Sequence, residues 1–212
     1  GWSGRRESLG GFDENDWRFF IAPGSDIEAA TGNAGNDRIQ GTFLDNVLRG
    51  NGGHDTLLGF SGRDTLRGGA GFDRLDGGPQ VDTADFSDLT SSVEVDLANG
   101  IATSNGDIDT LIDIENAIGT QFGDTFIGYG ENNLFEGRAG DDTYVISSNN
   151  QTVTERTNEG TDTIRTSLAD YTLPANVENL TGGAASNDLT GNSDNNIVDG
   201  AGGADIMRGW FG

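Results

Sequence analysis

Glycine and aspartate recur at a fixed spacing in residues 50–78, which read GNGGHDTLLGFSGRDTLRGGAGFDRLDGG. Both series have a period of nine residues: Gly50, Gly59, Gly68 and Gly77, and Asp55, Asp64 and Asp73. Glycine lets a chain turn tightly and expose its carbonyl oxygens, and aspartate adds a carboxylate beside them. Calcium takes about six to eight oxygen ligands of these two kinds. The spacing therefore predicts loops that bind a hard divalent cation.

The same nine-residue register extends over much of the chain. With position 1 set at Gly32, six contiguous units cover 32–85, three cover 119–145 and three cover 182–208. Position 1 is Gly in all twelve units, position 6 is Asp or Asn, and position 8 is apolar or aromatic. Position 8 carries Ile39, Leu48, Leu57, Leu66, Leu75, Ala84, Phe126, Phe135, Tyr144, Leu189, Val198 and Met207. Self-similarity at one fixed period indicates a repeat architecture.

The unit resembles the G-G-x-G-x-D-x-U-x nonapeptide of the RTX (repeats-in-toxin) family, and the resemblance covers residues 32–208 with spacers. It implies an all-β fold, a right-handed parallel β-roll or β-solenoid with calcium-binding Gly-Asp loops. In that family the first six residues form a loop and the last three form a short strand with its apolar residue inward. Each nonapeptide is half a turn, so unit i stacks on unit i+2.

Stacking gives the aspartates their expected role. Successive turns of a parallel solenoid lie about 4.8 Å apart. Two carboxylates at that distance repel by roughly 3 kcal/mol at an effective dielectric near 20, and a divalent ion between them reverses the sign. Glycines at positions 1, 2 and 4 are expected to adopt φ > 0 and to shape the loop around the ion.

The loops differ in how well they match the pattern. One edge should hold two strong sites, Asp37 with Asp55 and Asp55 with Asp73. On the other edge, Leu44 and Pro79-Gln80 depart from the pattern and Asn46 carries no charge, so Asn46/Asp64 and Asp64/Asp82 should be weaker. Asp124 with Asp142 is one more candidate site, although Phe122 replaces Gly, and Asn187 with Asp205 is the poorest pair.

This reasoning predicts about four to six calcium ions. The candidate metal ligands are Asp37, Asp55, Asp73, Asp64, Asp82, Asn46, Asp124, Asp142 and Asp205, with the loop glycines Gly35, Gly53, Gly62, Gly71 and Gly140.

The register also divides the chain. We expect an N-terminal cap or the tail of a preceding domain at 1–31, RTX blocks at 32–85, 119–145 and 182–212, a β spacer at 86–118 and a degenerate solenoid spacer at 146–181. The alternation in SVEVDL and IDTLIDI, and the stretch TVTERTNEGTDTIRT, predict strands within the spacers. The spacer 86–118 fits a bulge, a hairpin or wider turns. The last residues begin another unit, which suggests a piece of a longer protein.

Composition excludes several classes of function. The chain has 35 acidic and 12 basic residues and a formal net charge of -23, which argues against nucleic acid and anionic membrane surfaces. It has no cysteine, and no run approaches the length of a membrane span. The H-E-x-x-H motif of zinc metalloproteases and the G-x-S-x-G motif of lipases are both absent. His54, the only histidine, fits an exposed loop residue better than a catalytic or metal-binding one.

Together with the RTX resemblance, the sequence predicts a non-catalytic, calcium-binding module of a larger secreted bacterial protein. By the resemblance, such proteins leave the cell through type I secretion machinery, and the module folds when it meets calcium outside. Two alternatives remain open: a structural or adhesive segment of a surface or biofilm-matrix protein, and a β-solenoid that acts on or binds acidic polysaccharide, with arginines 38, 63, 67 and 74 facing outward.

Overall fold

The protein is described from a computed structural model, which covers residues 28–130 and 132–210 and the backbone of two short strands before them. The described residues form strands, turns and loops, and no helix. The strands are β1 (Arg5–Arg6), β2 (Arg18–Phe20), β3 (Ala29–Thr31), β4 (Arg38–Gln40), β5 (Val47–Gly52), β6 (Thr56–Leu58), β7 (Thr65–Ala70), β8 (Arg74–Asp76), β9 (Thr83–Asp85), β10 (Glu94–Asp96), β11 (Ile101–Ser104), β12 (Asp107–Ile112), β13 (Asn116–Ile118), β14 (Thr125–Ile127), β15 (Leu134–Glu136), β16 (Thr143–Ile146), β17 (Thr152–Thr154), β18 (Thr163–Thr166), β19 (Asp170–Thr172), β20 (Asn179–Thr181), β21 (Asp188–Thr190), β22 (Ile197–Asp199) and β23 (Ile206–Arg208).

The chain forms two compact units, one from residues 1–89 and 100–117 and one from residues 90–99 and 118–212. Of the segment 1–31 predicted as a cap, most lies outside the described residues. The predicted division into six segments stays a prediction.

The first unit is built from two mainly parallel sheets. Their strand orders are β1-β2-β4-β6-β8-β12-β11 and β13-β9-β7-β5-β3. Neighbours such as β4 and β6 pair in register. Ile39 lies opposite Leu57, which occupies the same position two repeats later in the chain. Two nonapeptides therefore make one turn of a parallel β-roll, as the repeat predicts.

The spacer of the first unit contains a hairpin. β11 and β12 pair antiparallel across Asn105 and Gly106, whose φ angles of 50° and 93° belong to a tight two-residue turn. β12 then lies parallel to β8, with Leu111 opposite Leu75. Of the three forms open for this spacer, the hairpin is the one observed, and it returns the chain to the roll.

The second unit repeats the same construction. Its sheets have the orders β10-β14-β16-β18-β20-β22, β15-β17 and β19-β21-β23. β14 and β16 pair with Phe126 opposite Tyr144, which is the ordinary spacing of two nonapeptides. β16 and β18 pair with Tyr144 opposite Ile164, so this turn contains two residues more. The roll therefore tolerates a turn that is longer than the repeat dictates.

The core of each unit is the position-8 column. In the first unit its six side chains, from Ile39 to Ala84, are completely buried. In the second, Phe126 stacks on Tyr144 with ring centroids 5.2 Å apart, and Phe135 packs beside them. Two position-8 residues that were expected in the core are not fully buried: Val198 is half-buried and Met207 is 55% exposed. Met207 lies on β23, which has β21 as its only strand neighbour among the described residues and so forms the edge of its sheet there.

Candidate metal centres

Position-6 side chains of successive turns form a hydrogen-bonded ladder. The backbone N–H of Asp37 donates to Oδ1 of Asp55 at 2.7 Å, and the N–H of Asp55 donates to Oδ1 of Asp73 at 2.7 Å. All three carboxylates are at most 3% exposed. The structure therefore brings together both pairs for which the sequence predicted strong sites.

The pairs with poorer matches have the same geometry. The N–H of Asn46 donates to Asp64 and the N–H of Asp64 donates to Asp82, both at 2.7 Å. The corresponding distances are 2.6 Å for Asp124 to Asp142 and 2.9 Å for Asn187 to Asp205. Asp205 is half-buried, whereas the other predicted position-6 ligands are buried. These edges therefore differ from the first in charge and loop composition more than in backbone arrangement.

The ladder continues into the spacers, where the sequence predicted no ligands. The N–H groups of Asp73 and Asp142 donate to the carboxylates of Asp109 and Asp162 at 2.8 and 2.9 Å. In the same way, the N–H groups of Asp82 and Asp162 donate to Glu115 at 2.9 Å and Glu178 at 2.8 Å. The sequence does contain a pattern that could have predicted these ligands. It is an acidic residue two positions before an apolar residue that is buried in the structure, as in Asp109-Thr110-Leu111 and Asp162-Thr163-Ile164.

Position-1 glycines are required by close packing. A Cβ on Gly50 would lie 2.6 Å from the carbonyl oxygen of Gly68 in the next turn and would overlap Oδ2 of Asp55 in its own repeat. The expectation that these glycines adopt positive φ is wrong, since none of the twelve does. The reason is that the turn stacks backbone directly on backbone, which leaves no room for a side chain whatever the φ angle.

Most position-4 glycines are required both by a positive φ angle and by close packing. Gly53, Gly62, Gly71 and Gly140 have φ between 109° and 129°, while Gly35 does not have a positive φ. A Cβ on Gly53 would also lie 2.5 Å from the carbonyl oxygen of Gly35 in the preceding turn. Only glycine satisfies a left-handed φ and this approach together. The loop carbonyls therefore stack from turn to turn beside the carboxylate ladder.

One oxygen of several ladder carboxylates is left without a partner. Among the described residues, the buried atoms that accept no hydrogen bond include Oδ2 of Asp55, Asp64, Asp73, Asp82 and Asp142. A buried polar atom without a partner is costly, and a buried charge more so. Bound cations are the usual compensation, so these oxygens fit the oxygen set that calcium requires.

The pKa values of these carboxyls are raised because burial disfavours their charged form. Burial raises the pKa of Asp55 to about 7, against the hydrogen bond from Asp37, and the charges of Asp73 and Asp37 add to the rise. Burial likewise raises the pKa of Asp64 to about 7 and that of Asp142 to about 8. Calcium binds the deprotonated form, so a cation at these positions would displace protons.

The histidine and two of the arginines considered in the sequence analysis form hydrogen bonds and ion pairs within the fold. His54 is exposed, and its Nδ1 accepts a hydrogen bond from the N–H of Phe72 at 3.0 Å. Arg67 forms ion pairs with Asp85 and Asp88, and Arg74 pairs with Asp76 at 2.6 Å. Both arginines balance charge within the first unit. In the part of the chain that is described, no helix is long and apolar enough to cross a membrane.

The parallel roll, the nine-residue repeat and the stacked buried acids define a cation-binding solenoid repeat. The model of the RTX calcium-binding nonapeptide repeat matches the chain in four copies, over residues 31–59, 58–87, 118–145 and 179–212. These copies cover more than half of the chain, which therefore belongs to this family and is an RTX calcium-binding β-roll module. No curated protein matches the chain.

Proposed function

We propose that calcium ions bridge the stacked loops of this module and that the module folds when they bind, outside the cell. The observation that carries this proposal is the set of buried position-6 oxygens that lack partners, repeated from turn to turn on the edges of the roll. Each ion would take the free oxygen of an aspartate together with carbonyl oxygens of the loops stacked next to it.

The proposed ligands are those predicted from the repeat, with Asp37, Asp55 and Asp73 forming the strongest edge. About four to six ions are expected, because Asn46 and Asn187 supply no charge and Leu44, Pro79 and Phe122 interrupt the glycine pattern. That number of ions would offset roughly half of the formal charge of -23.

The unfolded state explains why calcium would control folding. A chain with this charge and 35 glycines loses much conformational entropy on folding and repels itself when compact. At low cytosolic calcium it would remain unfolded and able to pass through a secretion channel. At the roughly millimolar calcium found outside cells, binding free energy becomes folding free energy.

A secreted parent protein follows from this mechanism. Proteins with this repeat are typically extracellular. We assign the module a supporting role, in which calcium-driven folding outside the cell assists type I secretion and stabilises the larger protein, with no catalytic activity of its own.

Circular dichroism during a calcium titration tests the proposal. The purified chain should lack most of its strand signal in EDTA and gain it cooperatively as calcium reaches about 10⁻⁴–10⁻³ M. Magnesium at the same concentration is the control and should leave the chain unfolded, because it prefers its own waters to such a cage. Full strand signal in EDTA would contradict calcium-controlled folding.

A further inference from the structure

In the second unit, a further acidic side chain meets two neighbouring carboxylates of the ladder. Asp142, Glu155 and Asp162 each place one carboxylate oxygen within 4.8 Å of the other two. Their exposed fractions are 1%, 6% and 1%. Asp142 and Asp162 are neighbours in the ladder, whereas Glu155 belongs to none of the twelve nonapeptide units.

Three elements position the cluster. Asp142 directly precedes β16, Glu155 directly follows β17, and Asp162 directly precedes β18. The hydroxyl of Tyr144, a core residue on β16, donates a hydrogen bond to Oε1 of Glu155 and fixes that side chain. Gly137 leaves the space free, because a Cβ there would overlap oxygens of Tyr144, Asp142 and Glu155.

Two oxygens of the cluster lack partners. In the described part of the chain, Oδ2 of Asp142 and Oε2 of Glu155 are buried and make no hydrogen bond. The neighbouring Arg156 does not compensate them: its side chain is 65% exposed and pairs with Glu136 at 2.8 Å and with Glu159 at 3.7 Å. Three buried carboxylates therefore converge with unsatisfied oxygens and with a tyrosine hydroxyl beside them.

We propose that Glu155 joins Asp142 and Asp162 of the ladder in binding a hard divalent cation, with calcium as the first candidate; this inference rests on the proposed function and extends it to a residue outside the nonapeptide units. Oxygen-only ligands favour calcium, magnesium or manganese over softer metals. The site lies at the longer turn of the second unit. There β16 pairs with β18 at a spacing two residues longer than its spacing from β14. A cation there would tie Glu155 to two rungs of the ladder and hold the longer turn in place.

The test compares Glu155→Gln with Glu94→Gln, a control with the same change of charge at an exposed position of the same unit. Isothermal titration with calcium should show one ion fewer for E155Q than for the wild type and the unchanged number for E94Q. Thermal unfolding adds a second readout. E155Q should be at least as stable as the wild type in EDTA, because a buried charge is gone, and less stable than the wild type in saturating calcium.

Equal ion numbers and equal calcium-induced stabilisation for E155Q and the wild type would overturn the proposal. That result would show that Glu155 is not a ligand of a bound ion. Asp162→Asn should reproduce the loss of one ion, which guards against a folding defect peculiar to E155Q. The proposed function fails separately, if the wild type itself binds no calcium.

Discussion

Asp37 and Asp55 of successive turns are joined by a hydrogen bond of 2.7 Å from the backbone N–H of the first to Oδ1 of the second. The other oxygen of Asp55 is buried without a partner. One oxygen thus holds two turns in register while the second remains free for a ligand. This division of roles recurs at Asp64, Asp73 and Asp82, and it is the arrangement that the proposed binding of calcium between turns requires.

Substitution Asp55→Asn should separate these two roles. Asparagine keeps an acceptor for the N–H of Asp37 but removes the charge, so stability in EDTA should stay equal or rise. In calcium at about 100 times the dissociation constant, loss of one site should cost about 2–3 kcal/mol. Urea unfolding with and without calcium measures both effects. Asp170→Asn, at an exposed position, is the control, and a D55N protein with undiminished stabilisation by calcium would contradict the assignment.

Substitution Asn46→Asp should create a stronger site. Asn46 is buried, its Nδ2 atom has no hydrogen-bond partner, and its backbone N–H bonds to Asp64. A carboxylate there would face Asp64, so calcium affinity on this edge should rise while stability in EDTA should fall. Calcium titration calorimetry checks the first effect and thermal unfolding in EDTA the second. Unchanged behaviour in both would show that this edge does not bind calcium.

Stability without calcium should increase as the pH falls. Burial raises the pKa values of Asp55, Asp64 and Asp109 to about 7 from an ordinary value of 3.8, so the folded state binds protons more tightly than the unfolded state. The stabilisation is complete below about pH 4 and is lost as the pH rises through about 7.

Circular dichroism in EDTA should therefore show more strand at pH 5 than at pH 8. In limiting calcium the dependence should reverse, because protons compete with the ion for the same oxygens. Less strand at pH 5 than at pH 8 in EDTA would contradict the burial of these groups.

The position-8 column should dominate stability in the calcium-bound state. Leu57 is completely buried, and Leu57→Ala should cost about 2–5 kcal/mol through lost burial and a cavity. Met207, which is 55% exposed at an equivalent repeat position, should tolerate alanine within about 0.5 kcal/mol. Chemical unfolding in calcium compares the two variants. Equal losses would show that Met207 is covered in solution.

The sequence predicted the fold because the nine-residue period carries the same information many times. Leu57 and Asp55 follow from their columns without any knowledge of their neighbours, and the predicted burial of Leu57 is confirmed. Asp109 and Asp162 were not predicted because the position-1 glycine of the repeat is replaced five residues before each, by Ser104 and Thr157, although the acid-Thr-apolar triplet persists.

Glu155 could not be found in this way. It precedes the two extra residues of the longer turn and is held by a contact with Tyr144, and no spacing in the sequence encodes that contact. The position-1 glycines show a related limit, since their identity was explained by φ when the cause is the approach of the next turn.

A crystal structure of the chain grown in saturating calcium, with a lanthanide-soaked crystal for anomalous scattering, tests the central claim most directly. The account predicts an ion within about 2.3–2.6 Å of Oδ2 of Asp55 and of carbonyl oxygens in the adjoining loops. An ordered ladder with water or nothing beside that oxygen, in crystals that hold calcium at high concentration, would contradict it.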